Sequence, residues 1–180
     1  MSGRLIAVVG PSGVGKDSLI AGLAQARPAL HVVRRVISRP PEMGGEAFDG
    51  VSESEFLRRA ASGAFCLSWQ AHGLRYGIPA ETLNIGPRGQ DAVVNLSRTV
   101  LDEAVRLFEN LIVLRITARP ETLALRLAHR GRESAEDIKR RLARPEPRLP
   151  GGLTIIEVSN DGSIQEAVHR ALGALYPARV

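Results

Sequence analysis

Residues 5–24 read Leu5-Ile-Ala-Val-Val-Gly10-Pro-Ser-Gly-Val-Gly15-Lys-Asp-Ser-Leu-Ile20-Ala-Gly-Leu-Ala24. Five apolar residues, a glycine-rich turn, one lysine and then a helical apolar pattern make the strand–loop–helix arrangement that wraps a nucleoside triphosphate. Backbone N–H groups of residues 12–18 can converge on one anion, and the helix opening near Lys16 adds the positive end of its dipole. Lys16 is one of two lysines, against twenty-two arginines. The chain spends arginine nearly everywhere for positive charge and keeps a compact ammonium here, where it can reach β- and γ-phosphates. The expected triphosphate-binding residues are therefore Gly10, Pro11, Ser12, Gly13, Val14, Gly15, Lys16, Asp17 and Ser18. Asp17 departs from the pattern, which asks for Ser or Thr at the Mg²⁺-binding position. A carboxylate is a hard oxygen ligand too, so Asp17, or the neighbouring Ser18 hydroxyl, is the expected metal ligand.

At 180 residues the chain is expected to be one α/β domain with room for small subdomains. No stretch is long and apolar enough to span a membrane, and the immediate approach to a strand leaves no signal peptide, so the expected compartment is the cytoplasm. Cys66 is alone, which excludes a disulfide framework or a cysteine metal site. The net charge of +5 admits a nucleic-acid partner or arginines gathered on small polyanions. Only seven aromatic residues are present, and they are not interleaved with basic ones as single-strand binders require, which favours small phosphorylated ligands.

Along the chain, strands are expected at 4–9, 31–37, 65–71, 75–78, 92–96, 111–117 and 153–158. Helices are expected at 16–26, 52–62, 98–109, 120–129, 134–143 and 163–175. Ser52-Glu-Ser-Glu55 has capping-box spacing, and Pro79 opens a short helical turn at 79–84. This alternation predicts an α/β fold of the P-loop NTPase kind, with a doubly wound, mainly parallel sheet and ligands at the carboxyl ends of its strands. Residues of about 34–90 fall outside that rhythm and are expected to form a substrate-binding lobe. The arginine-rich stretch of about 129–150 is expected to form a lid.

Arg34, Arg35 and Arg39 follow the second strand on the expected ligand side, and guanidinium forks suit phosphate oxygens. The competing reading is a solvated basic edge. Arg75-Tyr76 combines a cation with a phenol, and His72 stands at the adjacent turn; each also reads as hairpin surface. In the lid, Arg130, Arg132 and Arg141 are the candidates to neutralise charge on a transferring phosphoryl group, with Lys16 as the fourth catalytic candidate. Arg126 reads as ordinary helix surface.

Most of the chain resembles the guanylate kinase superfamily. The resemblance rests on Gly10–Lys16, on Ser38-Arg39-Pro40-Pro41 with Gly45-Glu46, on Tyr76-Gly77, on Arg126–Glu133 with Ile138–Leu142, and on Val158-Ser-Asn160. It implies that Asn160 helps to hold the adenine of ATP. Guanine-reading carboxylates are missing, because the local residues are Cys66-Leu67-Ser68 and Asn95-Leu96-Ser97-Arg98. Gly15-Lys-Asp-Ser-Leu19, Trp69-Gln-Ala-His-Gly-Leu-Arg-Tyr-Gly-Ile-Pro79 and Asn95–Arg98 are similar instead to the ribose 1,5-bisphosphate phosphokinases of phosphonate degradation. That resemblance implies transfer of phosphate from ATP, with Mg²⁺, to ribose 1,5-bisphosphate, making 5-phospho-α-D-ribose 1-diphosphate. It adds Gln70 to the substrate-binding candidates and strengthens His72, Arg75 and Tyr76. The expected partner is a small phosphorylated sugar, with neither nucleic acid nor membrane, and a homodimer is compatible with the sequence. Guanylate kinase and a non-catalytic binding module of the same superfamily are the alternatives.

Overall fold

The structure, a computed structural model, describes residues 2–40, 47–129, 131, 134–143 and 148–177, leaving aside the Arg141 side chain. The strands are β1 (Leu5–Val9), β2 (His31–Val32), β3 (Val36–Ile37), β4 (Asp49–Gly50), β5 (Phe65–Ala71), β6 (Leu74–Pro79), β7 (Ala92–Asn95), β8 (Leu111–Thr117) and β9 (Thr154–Ser159). The helices are α1 (Lys16–Ala26), α2 (Glu53–Ala61), α3 (Leu101–Leu107), α4 (Pro120–His129), α5 (Ala135–Leu142) and α6 (Ile164–Leu175).

Five strands form a parallel sheet in the order β2-β7-β1-β8-β9. All five residues of β1 are buried because both faces are covered. Leu5, Ala7 and Val9 pack into one core with Val94, Leu101 and Val113, while Ile6 and Val8 pack into the other with Leu19, Leu23, Leu114 and Ala171. That double burial is why the strand reads as an uninterrupted apolar run rather than an alternating one. The doubly wound, mainly parallel sheet matches the sequence expectation.

A second sheet, β4-β3-β6-β5, occupies the predicted lobe. Its β5–β6 hairpin turns at His72-Gly73, with φ of 53° and 74°. Leu67 and Ile78 of this hairpin enter the first core beside Leu96 and Val100, so the lobe and the main sheet share apolar packing. Cys66 packs against the same core; burial pushes its thiol up to about 11, leaving it un-ionised near neutral pH.

Three expectations change. The run 31–37 is not one strand. Val33 still donates its N–H to Val93 at the edge of the main sheet, but the chain then departs, and Val36-Ile37 pair in the second sheet. The consecutive charges of Arg34 and Arg35 lie at the crossing, where a buried strand would have to desolvate them. The helix expected at 98–109 begins as a 3₁₀ turn at Arg98–Val100 and continues as α3 to Leu107. The Ser52 box is half formed. Ser52 Oγ accepts from Glu55 N at 3.2 Å, but the Glu55 carboxylate binds Arg58 and Arg59 instead of reaching back. The complete box is at Ser163–Glu166, opening α6.

Candidate active site

The loop between β1 and α1 stands at the carboxyl end of the central strand. Gly15 precedes α1 with φ 98° and ψ 28°, a left-handed conformation that glycine adopts without strain. A Cβ there would lie 2.6 Å from Nδ2 of Asn160, so the position is closed to any side chain. The Lys16 ammonium curls over the loop and donates to the carbonyls of Gly10 (2.9 Å) and Pro11 (3.1 Å). Val14 anchors the loop from below with a fully buried side chain. Its carbonyl accepts from Asn160 Nδ2 at 2.7 Å and from Arg126 Nη1 at 3.3 Å.

Gly13, Gly15, Ser18, Leu125, Arg126, His129, Asn160 and Ile164 line an open cavity of about 550 Å³ beside this loop. Asn160 is 3% exposed, and its Oδ1 has no hydrogen-bond partner among the described residues. A buried acceptor with no internal donor fits an incoming donor group, because leaving it unmet costs on the order of 1–3 kcal/mol. Arg126, which reads as surface in the sequence, is thus a loop contact. Its signal is legible only once α4 is placed against the loop. His129, three residues further on, lines the same cavity.

Asp17 and Ser18 diverge as successive residues of a helix must. Ser18 faces the cavity on the α4 side, while Asp17 turns toward β7 and accepts a hydrogen bond from Asn95 Nδ2 at 2.7 Å. Each is a hard oxygen donor at the mouth of the loop of the kind Mg²⁺ carried on nucleotide phosphates accepts, but because they face opposite sides only one of them can meet a given ion. Among the described residues no group of three or more His, Cys, Asp or Glu side chains gathers to hold a metal independently.

The lobe divides the remaining candidates between two faces. Trp69 and Tyr76 are cross-strand partners, stacked at 5.2 Å and nearly parallel at 6°. The Arg35 guanidinium lies 5.2 Å from the Tyr76 ring and 5.9 Å from the Trp69 ring. Trp69 also packs on the first core, so this is the face turned to the main sheet. Gln70 and Arg75, the adjacent cross-strand pair, point to the opposite face. There Arg75 pairs with Glu53 of α2 at 3.0 Å, and the Gln70 side-chain amide, assigned with its oxygen toward Arg75, accepts from the guanidinium at 3.1 Å. Gly77 lies on that face as well, and a Cβ would meet the Phe65 ring at 2.7 Å. Arg34 is exposed and donates to the Phe48 carbonyl at 3.2 Å, and Arg39 covers the Phe48 ring at 4.2 Å. His72 is exposed at the hairpin tip. Arg130 and Arg132 lie outside the described residues, as does Gly45-Glu46. Arg141 belongs to α5, its side chain outside the described part.

No family model matches the chain. Among solved structures, guanylate kinase from Anaplasma phagocytophilum superposes with a TM-score of 0.72 at 18% identity, covering 97% of this chain and 85% of that one. A gluconokinase from Sinorhizobium meliloti does so with a TM-score of 0.53 at 21% identity, covering 97% and 91%. At such identities these likenesses establish a kinase-type fold. Curated sequences are far nearer. A protein of Ruegeria sp. (strain TM1040) named ribose 1,5-bisphosphate phosphokinase PhnN is 50% identical over 98% of this chain and 94% of its own length. Another of that name from Agrobacterium fabrum is 45% identical over 91% of both. A bifunctional ribose 1,5-bisphosphokinase-thymidine phosphorylase of Cupriavidus pinatubonensis is 42% identical over 97% of this chain, which corresponds to 29% of that longer protein. End-to-end identity of this order, on a phosphate loop that keeps its lysine, places the chain in the ribose 1,5-bisphosphate phosphokinase family.

Proposed function

We propose that this chain transfers the γ-phosphoryl group of ATP to the 1-phosphate of ribose 1,5-bisphosphate, producing 5-phospho-α-D-ribose 1-diphosphate and ADP in phosphonate breakdown. The observation that carries this reading is the 50% identity, over nearly both full lengths, to a relative bearing that activity in its name. The loop around Lys16 supplies the means.

An oxygen of the 1-phosphate attacks the γ-phosphorus. The bond to the β,γ-bridging oxygen breaks, and its electron pair stays on ADP. The acceptor is already anionic near neutral pH, so no strong general base is required, and catalysis rests on positioning and charge neutralisation. Lys16 and the N–H groups of the loop hold the β- and γ-phosphates. Asn160 meets the base with its unpartnered Oδ1. Mg²⁺, when bound, neutralises phosphate charge and templates the in-line geometry. Asp17 is its ligand in this reading, since Ser18 faces the other side.

Arg35 on its aromatic shelf, with Tyr76 and Arg39, receives the sugar phosphates. Gln70 and Arg75 brace the hairpin against α2. Arg130, Arg132 and Arg141 close over the transferring group. The chain acts as one domain.

Phosphorus NMR of the chain with ATP, Mg²⁺ and ribose 1,5-bisphosphate should show a new diphosphate pair. GMP offered in parallel should stay unphosphorylated, and Lys16→Ala should abolish turnover. Phosphorylation of GMP alone, or near-normal turnover by Lys16→Ala, would sink the assignment.

A further inference from the structure

P-loop NTPases ordinarily hold Mg²⁺ between a neutral hydroxyl on the loop and an aspartate elsewhere in the site. In this chain the loop carries the carboxylate, Asp17, and the side chain that meets it carries a neutral amide, Asn95. Asn95 closes β7, the strand beside β1, where its Cα pairs in register with Val8. It is 6% exposed, whereas Asp17 is exposed. The 2.7 Å bond from Asn95 Nδ2 therefore ties an exposed carboxylate on the loop to a buried strand end. The bond occupies Oδ1 and leaves Oδ2 for a cation.

We propose that Asn95 is a positioning residue for Asp17, and that carboxylate and neutral partner have exchanged places between loop and strand. The site keeps one negative charge near the metal, as in the usual arrangement, but supplies it from the loop. A second carboxylate at position 95 would stand within hydrogen-bond reach of the first and repel it, which gives a physical reason for an amide there. The inference rests on the kinase reading above and adds the residue that aims its metal ligand.

The test compares the wild type with Asn95→Ala, Asp17→Ser and the exchange variant D17S/N95D. Mn²⁺ affinity is measured by electron paramagnetic resonance in the presence of a non-hydrolysable ATP analogue. Affinity for the analogue without metal and the melting temperature are measured alongside. Removing a residue that orients a metal ligand should weaken Mn²⁺ binding by about 10–100-fold. Asn95→Ala should show that loss with metal-free nucleotide affinity and melting temperature close to wild type. D17S/N95D, which restores a hydroxyl on the loop and a carboxylate on the strand, should recover at least about tenfold over Asp17→Ser.

Unchanged Mn²⁺ affinity in Asn95→Ala would overturn the positioning role while leaving the kinase reading intact. So would an equal loss of metal-free nucleotide affinity, or an exchange variant no better than Asp17→Ser. A wild-type chain that binds neither the analogue nor Mn²⁺ with it would overturn the kinase reading itself, and the inference with it.

Discussion

Arg35, proposed above to receive a sugar phosphate, shows how neighbours constrain one side chain. A lone arginine after a strand reads equally well as solvated edge or phosphate ligand. Here Trp69 and Tyr76 form a flat, stacked shelf and the guanidinium lies over both. Such a contact is worth about 0.5–2 kcal/mol, and it narrows the orientations the guanidinium must give up on binding. Replacing Trp69 with Leu should therefore raise KM for the sugar bisphosphate by about 2–30-fold, with kcat changed less. Trp69→Phe, which keeps an aromatic face, should retain most of the affinity. Steady-state kinetics of the two variants checks this, and equal effects in both would remove the shelf from the account. The type of residue at 35 and 69 was legible in the sequence. Their meeting was not, because it depends on the pairing of Trp69 with Tyr76 and on the chain crossing between sheets at Arg34-Arg35.

Among the elements, the turn from β9 into α6 also governs how α4 is held beside the loop. Asp161 follows Asn160 directly and accepts from Arg119 N at 2.7 Å and Thr122 Oγ1 at 2.9 Å, at the start of α4, and from Ser159 Oγ at 2.9 Å. The Arg119 N–H, then the two hydroxyls, hold its carboxyl down at about 2. A depressed folded value contributes stability that is fully present above the unfolded value of about 3.9 and is lost as pH falls through the folded one. Asp161→Asn should accordingly melt below wild type near neutral pH, and the gap should close as pH falls from about 4 toward 2. Thermal melts across that range test the point; a gap independent of pH would show that the charge is immaterial. The existence of α4, α5 and α6 was readable from helical periodicity and from Pro120. Arg126 was misread as surface because periodicity says which face of a helix is polar but not what that face meets.

At the scale of the whole molecule, the two sheets are joined by apolar packing. Leu67 and Ile78 enter the core that Leu5, Val94 and Leu101 build on the main sheet. Trp69 is the only tryptophan and reports on the lobe, whereas far-ultraviolet circular dichroism reports mostly on helices of the main body. Urea transitions followed by the two signals should coincide, as a shared core requires. Leu67→Ala should lower both together by about 2–5 kcal/mol. A fluorescence transition that precedes the dichroism would show the lobe to be a separate folding unit. Among the described residues no helix is long and apolar enough to cross a membrane. By itself the sequence determined the β1–loop–α1 unit, the alternation of strand and helix, and the kinship carried by Gly15-Lys-Asp-Ser18 and the Trp69–Pro79 run. The first two reside in short-range backbone preferences and in side-chain periods of two or 3.6 residues, and the kinship in the identity of contiguous residues, so no distant partner is needed to read them. Only the tertiary structure decided which face of the hairpin Tyr76 shares with Arg35 and which Arg75 shares with Glu53. It alone brought Asn160 and Arg126 onto the Val14 carbonyl and Asn95 onto Asp17. Those contacts join residues 78 to 146 positions apart, and they depend on sheet order and strand register, which no local pattern encodes.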